Sequence, residues 1–456
     1  MIKDVAVVGA GLSGLSACRV LTEHSSVNLR IDLFDARDRL GGRVRSKTVT
    51  DGLVAEEGAE FIDLSNKRIR TLAKRFDLPL DRVYSRKKRS LPLLLKINDK
   101  TYQTKDIAEL GKPILQILKQ DRDTVRCFPQ GARAKELANI TIKTYLERAS
   151  ADPLLMKAFR AIWADECGTE IDTSPALSLL DVSSFKDPTG NLLEGAGYAK
   201  FRMKGGMSIF VQALRFAAKA CLQLEQPLAR VTQQAQSVKL DFIEGAMRRT
   251  GNYDAVILAL PVATLADIDI SKASFSASLR KFAHQIITAN HEKTFIYSNK
   301  TPAHDGGLLF DYELGGSTWI SKQAEEMSHD ACLITFYQNS NGPNDKKLLR
   351  RIRSNYIDLK SSDLNICGRT EWKADPFSKG SYSAFGATPE LRKELEEIRR
   401  RAPQNKYGTV FLAGEWASPD RAFQCHMEGA VLSGEKAARR LLQKNRIYRN
   451  RAVKKR

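Results

Sequence analysis

The chain has no CxxC pair and no uninterrupted apolar run near the roughly 18 residues that a bilayer crossing requires. Its longest apolar stretches, Ala255–Leu260 and Leu91–Leu95, have the length of buried strands. The seven cysteines (Cys18, Cys127, Cys167, Cys221, Cys332, Cys367 and Cys425) are scattered, and none forms a His/Cys cluster at metal-ligand spacing. No metal centre is expected, and reduced thiols in a reducing compartment are. No secretory leader is expected either, because a β-strand and its glycine turn begin at Val5. A cytoplasmic location is therefore expected. Acidic residues are in short supply: 73 Lys and Arg face 53 Asp and Glu, a net charge of +20. Part of the excess is local. From Arg439 onward there are nine Lys/Arg and no acid, and Arg86-Lys87-Lys88-Arg89 forms a second knot. Nucleic acid or an anionic membrane surface is one reading of this charge. A solvated terminus is the preferred one, because no aromatic interleaving or nucleic-acid motif accompanies it.

What is present is a soluble globular composition. With 456 residues, 42% hydrophobic and 28% charged, the chain has material for two or three domains. Residues 4 to 9, Asp-Val-Ala-Val-Val-Gly, read as a short strand ending in glycine. Gly9-Ala10-Gly11-Leu12-Ser13-Gly14 follows and opens an apolar stretch at helical spacing. A GxGxxG between a strand and a helix suits a dinucleotide. Gly9 permits the tight turn, Gly11 lets the backbone approach a pyrophosphate, and Gly14 lets helix and strand pack closely. Free N–H groups at the helix start then face the phosphates. Leu29 to Asp35 reads as the second strand, and Asp35, 21 residues after Gly14, stands where a carboxylate meets the adenosine ribose. The chain continues through Ala36 and Arg37 into a second turn, Gly41-Gly42-Arg43. A simple NAD domain has no use for that turn. FAD does, because its pyrophosphate and flavin extend past the first turn, and Arg43 can add charge-assisted donors.

With these motifs the chain resembles the flavin-containing amine oxidase family, whose superfamily includes monoamine, polyamine and L-amino-acid oxidases. The resemblance runs in order over almost the whole length. Glu56-Glu57-Gly58-Ala59-Glu60-Phe61 is similar to the segment passing in front of the flavin. Phe201 to Met207 resembles the glycine-rich return into the cofactor domain, followed by a helix from Ile209 to Leu222. Gln226–Val231, which contains Leu228, and Ala255–Pro261 resemble the strands over the adenine. Val410 to Glu415, with Gly414 and Glu415, matches the C-terminal flavin-contact turn, and His426-Met427 opens the last helix. That helix would aim its N-terminus at the flavin edge, where negative charge collects on reduction. Gly429, Ala430 and Gly434 would keep one face thin enough to approach the cofactor.

The resemblance implies an α/β fold: a discontinuous, Rossmann-like FAD-binding domain of the GR2 type with an α+β substrate-binding domain. The cofactor domain is assigned to 1–75, 200–270 and 405–445, the substrate domain to 76–199 and 271–404, and 446–456 to a basic tail. In the first insert, Ile107–Leu118, Ala134–Arg148 and Pro153–Ala164 carry helical periodicity. The second contains strands such as 293–297 and 333–337 and charged helices near 346–359 and 390–401.

Site roles follow from the resemblance. Lys293 matches the lysine that reaches flavin N5 through a water; its alternative is an exposed strand lysine. Trp372 to Ser383 resembles the stretch against the flavin ring. Ser381 stands where monoamine oxidases carry a flavin-bonded cysteine, which implies non-covalent FAD. Tyr382 matches the first of two substrate-flanking aromatics, and the second position holds His426, which either meets substrate or merely caps the helix. Amino-acid oxidases carry Met-Arg where this chain has Glu60-Phe61, so a carboxylate clamp is missing there. Pairing of Glu60 with Arg43 or Arg45 is the plain alternative. The implied reaction is hydride transfer from the α-carbon of a neutral primary or secondary amine to flavin N5, with O2 reoxidising the flavin and releasing hydrogen peroxide. The alternatives are an L-amino-acid oxidase with Arg202 or Arg369 as clamp, a flavin-dependent desaturase of an apolar substrate, and a non-catalytic flavin-bearing binding protein.

Overall fold

The computed structural model describes residues 2–49, 52–83, 93–103, 106–107, 109–182, 199–244, 247–286, 288–303, 307–321, 331–339, 342–384, 388–401 and 404–447. The Arg86–Arg89 knot and the tail from Arg449 lie outside the described residues. Among those described, no helix is long and apolar enough to cross a membrane, and no group of three or more His, Cys, Asp or Glu is placed to hold a metal ion.

The centre is a parallel sheet of β1 (Asp4–Val8), β2 (Arg30–Phe34), β3 (Cys221–Gln223), β4 (Ala255–Ala259) and β5 (Val410–Ala413), in the order β3-β2-β1-β4-β5. Strand periodicity divides its side chains between two cores. Val5, Val7, Leu33, Ile257 and Phe411 pack under the helices α1 (Leu12–His24), α3 (Met207–Ala218) and α4 (Met427–Lys444). Ala6, Val8, Phe34, Val256 and Leu412 pack on the other face against a three-stranded antiparallel sheet spanning Leu228–Tyr253. Both faces are covered, so the strands read as nearly continuous apolar runs.

A second, mixed sheet has seven strands in the order Leu364–Glu371, His291–Ser298, Cys332–Asn339, Gly316–Ser321, Leu308–Asp311, Leu93–Ile97, Lys100–Gln103. Helix α2 (Pro153–Cys167) packs beside it. Asp152 caps α2 through Leu154 N at 2.7 Å, and Gly168, at φ +61°, ends it in the left-handed conformation.

Three sequence expectations shift. The helix expected over Ile209–Leu222 stops at Ala218, where Lys219 adopts φ +47°, and the chain turns into β3 at the sheet edge. The helix expected over Ala134–Arg148 is two, Ala132–Asn139 and Ile142–Arg148, because Thr141 stops the first and caps the second through Thr144 N. The tail does not begin at 446: Ile447 is buried in the first core, and its carbonyl accepts from Ser26 N at 2.8 Å.

The glycines of α4 also act differently from the expectation. A Cβ on Gly434 would lie 1.9 Å from Ser13 O and one on Gly429 1.9 Å from Phe423 O, so both serve backbone packing rather than cofactor approach. Gly434→Ala would gain about 1 kcal/mol of helix propensity. It must also separate two backbones, and overpacking of this kind costs about 1–3 kcal/mol or more. A net fall in the urea midpoint is expected, and an unchanged midpoint would contradict the close crossing of α1 and α4.

Candidate active site

A cavity of about 900 Å³ runs from the glycine turns to the second sheet. Its walls include Gly9, Gly11, Leu12, Ser13, Asp35, Ala36, Arg37, Gly41, Gly42, Arg43, Gly58, Ala59, Glu60, Leu228, Lys293, Trp372, Tyr382, Gly414, Glu415, His426 and Met427. Gly14, expected in the first glycine turn, is absent from the wall, as are Gly429 and Gly434. A Cβ on Gly14 would lie 1.8 Å from Gly9 O, so its role is to bring α1 against β1.

At one end three glycine turns are tied together. Gly41 N donates to Ala10 O at 2.9 Å, and Ser433 Oγ meets Ser13 Oγ at 3.2 Å and accepts from Gly414 N at 3.0 Å. Helices α1 and α4 both begin on this wall without a side-chain cap, leaving N–H groups and the positive ends of two helix dipoles directed at the cavity. Asp35 accepts from Ala10 N at 2.7 Å and Arg37 N at 2.9 Å, and burial raises its pKa against those bonds. Gln226, on the same wall, has a buried Oε1 without a partner. Arg43 donates to Glu415 Oε1 at 3.1 Å and to Ser381 O at 2.9 Å, and Glu415 also accepts from Ser383 N and Oγ. The guanidinium therefore holds the 381–383 backbone to the C-terminal turn.

In the middle lies a buried charge cluster. Glu60 forms ion pairs with Lys293 Nζ at 3.0 Å and Arg202 Nε at 2.8 Å, and accepts from Trp319 Nε1 at 3.2 Å. Its partners are thus neither Arg43 nor Arg45, which pairs with Glu57. Burial alone would raise the Glu60 pKa, but Lys293 and Arg202 outweigh it and hold the carboxyl below the usual carboxylate range. Lys293 is 6% exposed, so it is not an exposed strand lysine. Its other two N–H groups donate to Glu56 O and Gly58 O, each at 2.9 Å. An ammonium has three donors. A water bridge to a cofactor would require one of them to change partner.

At the far end Tyr382, His291 and Tyr337 form an aromatic wall. His291 stacks on Tyr337 at 4.5 Å between centroids and 7° between planes, and meets Tyr382 at 4.9 Å. Its Nε2 lies 2.7 Å from Asp165 O, an acceptor, so this nitrogen carries a proton, while Nδ1 lies 3.0 Å from Ser381 Oγ, whose hydroxyl also reaches Ala289 O at 3.0 Å. Burial pushes the imidazole down to about 4, which keeps it neutral at pH 7. Tyr382 Oη donates to Glu166 O at 2.5 Å. His426 is the N-cap residue of α4, and burial lowers its pKa also.

The profile of the family described as flavin containing amine oxidoreductase matches residues 12–442. The chain belongs to that family. Pseudooxynicotine dehydrogenase of a Pseudomonas species is 22% identical, over 94% of this chain and 84% of that protein. Human flavin-containing amine oxidase B is 22% identical over 96% and 86%. Among solved structures, cyclohexylamine oxidase from Brevibacterium oxydans superposes with a TM-score of 0.79 at 16% identity, covering 98% of this chain and all of that one. Putrescine oxidase bound to putrescine gives 0.77 at 18% identity, over 96% and 98%. The protein is an FAD-dependent amine oxidoreductase. The first end of the cavity fits that cofactor: two uncapped helix N-termini suit a pyrophosphate and an electron-rich ring, and Asp35 retains acceptor capacity for a ribose.

Sequence reasoning missed His291, Tyr337, Trp319, Asp165 and Glu166 as wall residues of this amine oxidoreductase. Two were within reach of it. His291 stands two positions from Lys293 on one strand and so shares its face. Tyr337 is the cross-strand partner of Lys293. Nothing in the local sequence pointed from the end of α2 to the cavity. Arg202 and Arg369, the clamp candidates, do not serve: Arg202 is engaged by Glu60, and Arg369 is on the surface with Asp345.

Glu60→Gln removes the carboxylate that pairs with buried Lys293 and Arg202, and breaking a buried pair in this way costs about 3–5 kcal/mol. The pH dependence has a definite sign. A carboxyl held below its unfolded value of about 4.3 stabilises the fold above that pH, and the contribution is lost as pH falls through the folded pKa. Glu60→Gln should therefore lower the urea midpoint at pH 7 and flatten its decline below about pH 4.3. A parallel decline in both proteins would remove Glu60 from the acid limb.

Proposed function

We propose that the protein oxidises a primary or secondary amine lacking an α-carboxylate, with O2 as electron acceptor and imine plus hydrogen peroxide as products. The observation that carries this is Glu60-Phe61: the carboxylate holds both neighbouring cations, and Phe61 lies under Arg202 at 4.8 Å, so no guanidinium is offered to a substrate carboxylate from this segment. Bound FAD supplies the hydride acceptor and the means of passing electrons to oxygen. The chain's residues do the rest. Tyr382, fixed by Glu166 O, and neutral His291 form a polarisable wall that attracts an amine without adding positive charge. The apolar and aromatic lining excludes water and favours the unprotonated amine. Lys293 contributes a fixed positive charge where oxygen reduction develops negative charge. His426 and Met427 open α4 on the cavity wall, where its N-terminus would meet the edge of a bound flavin. Ser381 offers no thiol for a covalent link, so acid precipitation should release all the FAD; colour retained by the denatured chain would refute this.

Peroxide release on paired substrates tests the substrate class. Phenethylamine should be oxidised faster than phenylalanine, and the rate of flavin reduction at limiting amine should rise between about pH 7 and 9 as the substrate deprotonates. A strong preference for the amino acid would overturn the assignment and make Arg421, a guanidinium on the cavity wall, the clamp to truncate. Lys293→Met should leave flavin reduction by substrate in place and slow reoxidation by O2 roughly tenfold or more in stopped flow. Equal reoxidation rates would reduce Lys293 to a structural partner of Glu60.

A further inference from the structure

The loop at 373–379 carries two ion pairs that the reaction outlined above does not use. Its base is closed by Gly380 N, which donates to Trp372 O at 3.0 Å, and Trp372 is itself fixed through Nε1 to Glu57 O at 2.9 Å. Within the loop, Phe377 N donates to Asp375 Oδ1 and Lys379 N to Asp375 O, each at 2.9 Å, so the turn is built on Asp375. Two anchors then tie the loop outward. Arg37 Nη2 donates to Asp375 Oδ1 at 2.6 Å and to Ser378 Oγ at 2.7 Å, and its guanidinium carbon lies 5.5 Å from the centre of the Phe377 ring. Lys379 pairs with Asp267.

The order of the parallel sheet decides what lies beneath this loop. β1 stands between β2 and β4, and all three strands run in one direction, so the segments that follow them leave from one edge. The first glycine turn follows β1, Arg37 follows β2, and Asp267 ends the 3-10 helix Val262–Asp267 after β4. A loop tied to both Arg37 and Asp267 therefore crosses over the glycine turn, where the dinucleotide lies. Ala36, Arg37, Pro227, Ile243, Pro376 and Phe377 border the cavity on one side and an open hollow on the other. The loop is thus part of the partition between the cofactor cavity and solvent, at the end where Asp35 stands.

The two anchors are unequal. The side chains of Arg37 and Asp375 are 11% and 25% exposed, those of Lys379 and Asp267 42% and 47%. An exposed pair contributes little, whereas a sheltered guanidinium that shares two acceptors and an aromatic face holds its geometry. We propose that loop 373–379 is a clasp over the adenosine half of FAD, with Asp375 as a positioning residue that acts through Arg37. The cofactor enters and leaves when the Lys379 end releases and the loop swings off Arg37 on its Trp372–Gly380 base. The clasp supplies retention that Ser381, lacking a thiol, does not, and it rests on the non-covalent binding of FAD.

The test follows exchange of bound FAD on the full chain against excess isotopically labelled FAD, read by mass spectrometry of the flavin released by acid. Asp375→Asn keeps the acceptor for Phe377 N and removes the charge. It should exchange FAD roughly tenfold faster than the wild type, as expected for loss of a charge-assisted bond. Asp375→Glu, which keeps the charge, should lie closer to the wild type than to Asp375→Asn. Lys379→Met should speed exchange roughly twofold to threefold, because its pair is exposed. Raising NaCl from about 0.05 M to about 0.5 M should speed exchange in the wild type more than in the Asp375→Asn/Lys379→Met double variant, whose anchors are already gone. Wild-type exchange rates in the variants, or one salt response shared by the wild type and the double variant, would overturn the clasp alone. Flavin that stays on the acid-denatured wild type would overturn the clasp together with non-covalent binding. Should Asp375→Asn not be recovered folded, Lys379→Met and its salt response against the wild type decide the matter.

Discussion

A single buried carboxylate, that of Glu60, holds the site together. It belongs to the segment that leaves the second glycine turn, yet its partners come from elsewhere: Arg202 from the return strand, and Lys293 and Trp319 from the second sheet. Without it, two cations would meet in a low-dielectric interior, where repulsion is poorly screened. With it, the cofactor segment and the second sheet are fixed to each other by charge in addition to the apolar packing of Leu53 and Ala55 on Phe295 and Leu333. Apolar contact can slide, whereas an ion pair with directed hydrogen bonds sets one register. Lys293 extends the constraint by donating to Glu56 O and Gly58 O, which orients the backbone of the same segment.

The cavity that results is electrically divided. At one end α1 and α4 present uncapped N-termini, the natural environment for phosphate and for an electron-rich ring. At the other, α2 presents its C-terminus with Asp165 and Glu166. Between them stand Tyr382 and a histidine kept neutral by burial. A neutral imidazole matters at this position. A charged one would add a second buried positive charge beside Lys293. The neutral form also fixes the tautomer, since Nε2 must donate to Asp165 O, and so holds the ring stacked on Tyr337.

Much of this was legible in the chain itself, and the reason is local physics. A strand, a glycine turn and a helix start must be adjacent for a backbone to reach a pyrophosphate, so Gly9, Gly11, Asp35 and Gly41-Gly42 announce a dinucleotide by spacing alone. The apolar runs at Val5 and Ala255 announce buried parallel strands for the same reason. Helix ends were less legible. Ala218 and Asn139 stop their helices because the next residues turn toward a sheet edge or a new cap, and helical periodicity continues past both points.

The partners of charged side chains could not be read at all. Glu60 had two nearby arginines in sequence and takes neither; its cations come from positions 142 and 233 residues away. Gly434 has the composition of a helix face made for a cofactor, yet it exists for the Ser13 backbone. Asp165 and Glu166 look like ordinary residues at the end of an amphipathic helix, and only the placement of α2 against the second sheet turns them into the cavity. The sequence by itself determined the cofactor class and the layered core, because those depend on short-range backbone geometry and on the period of apolar residues. Tertiary structure decided which charges meet and which face the cavity, because such pairings depend on how distant segments pack, and no local pattern encodes that.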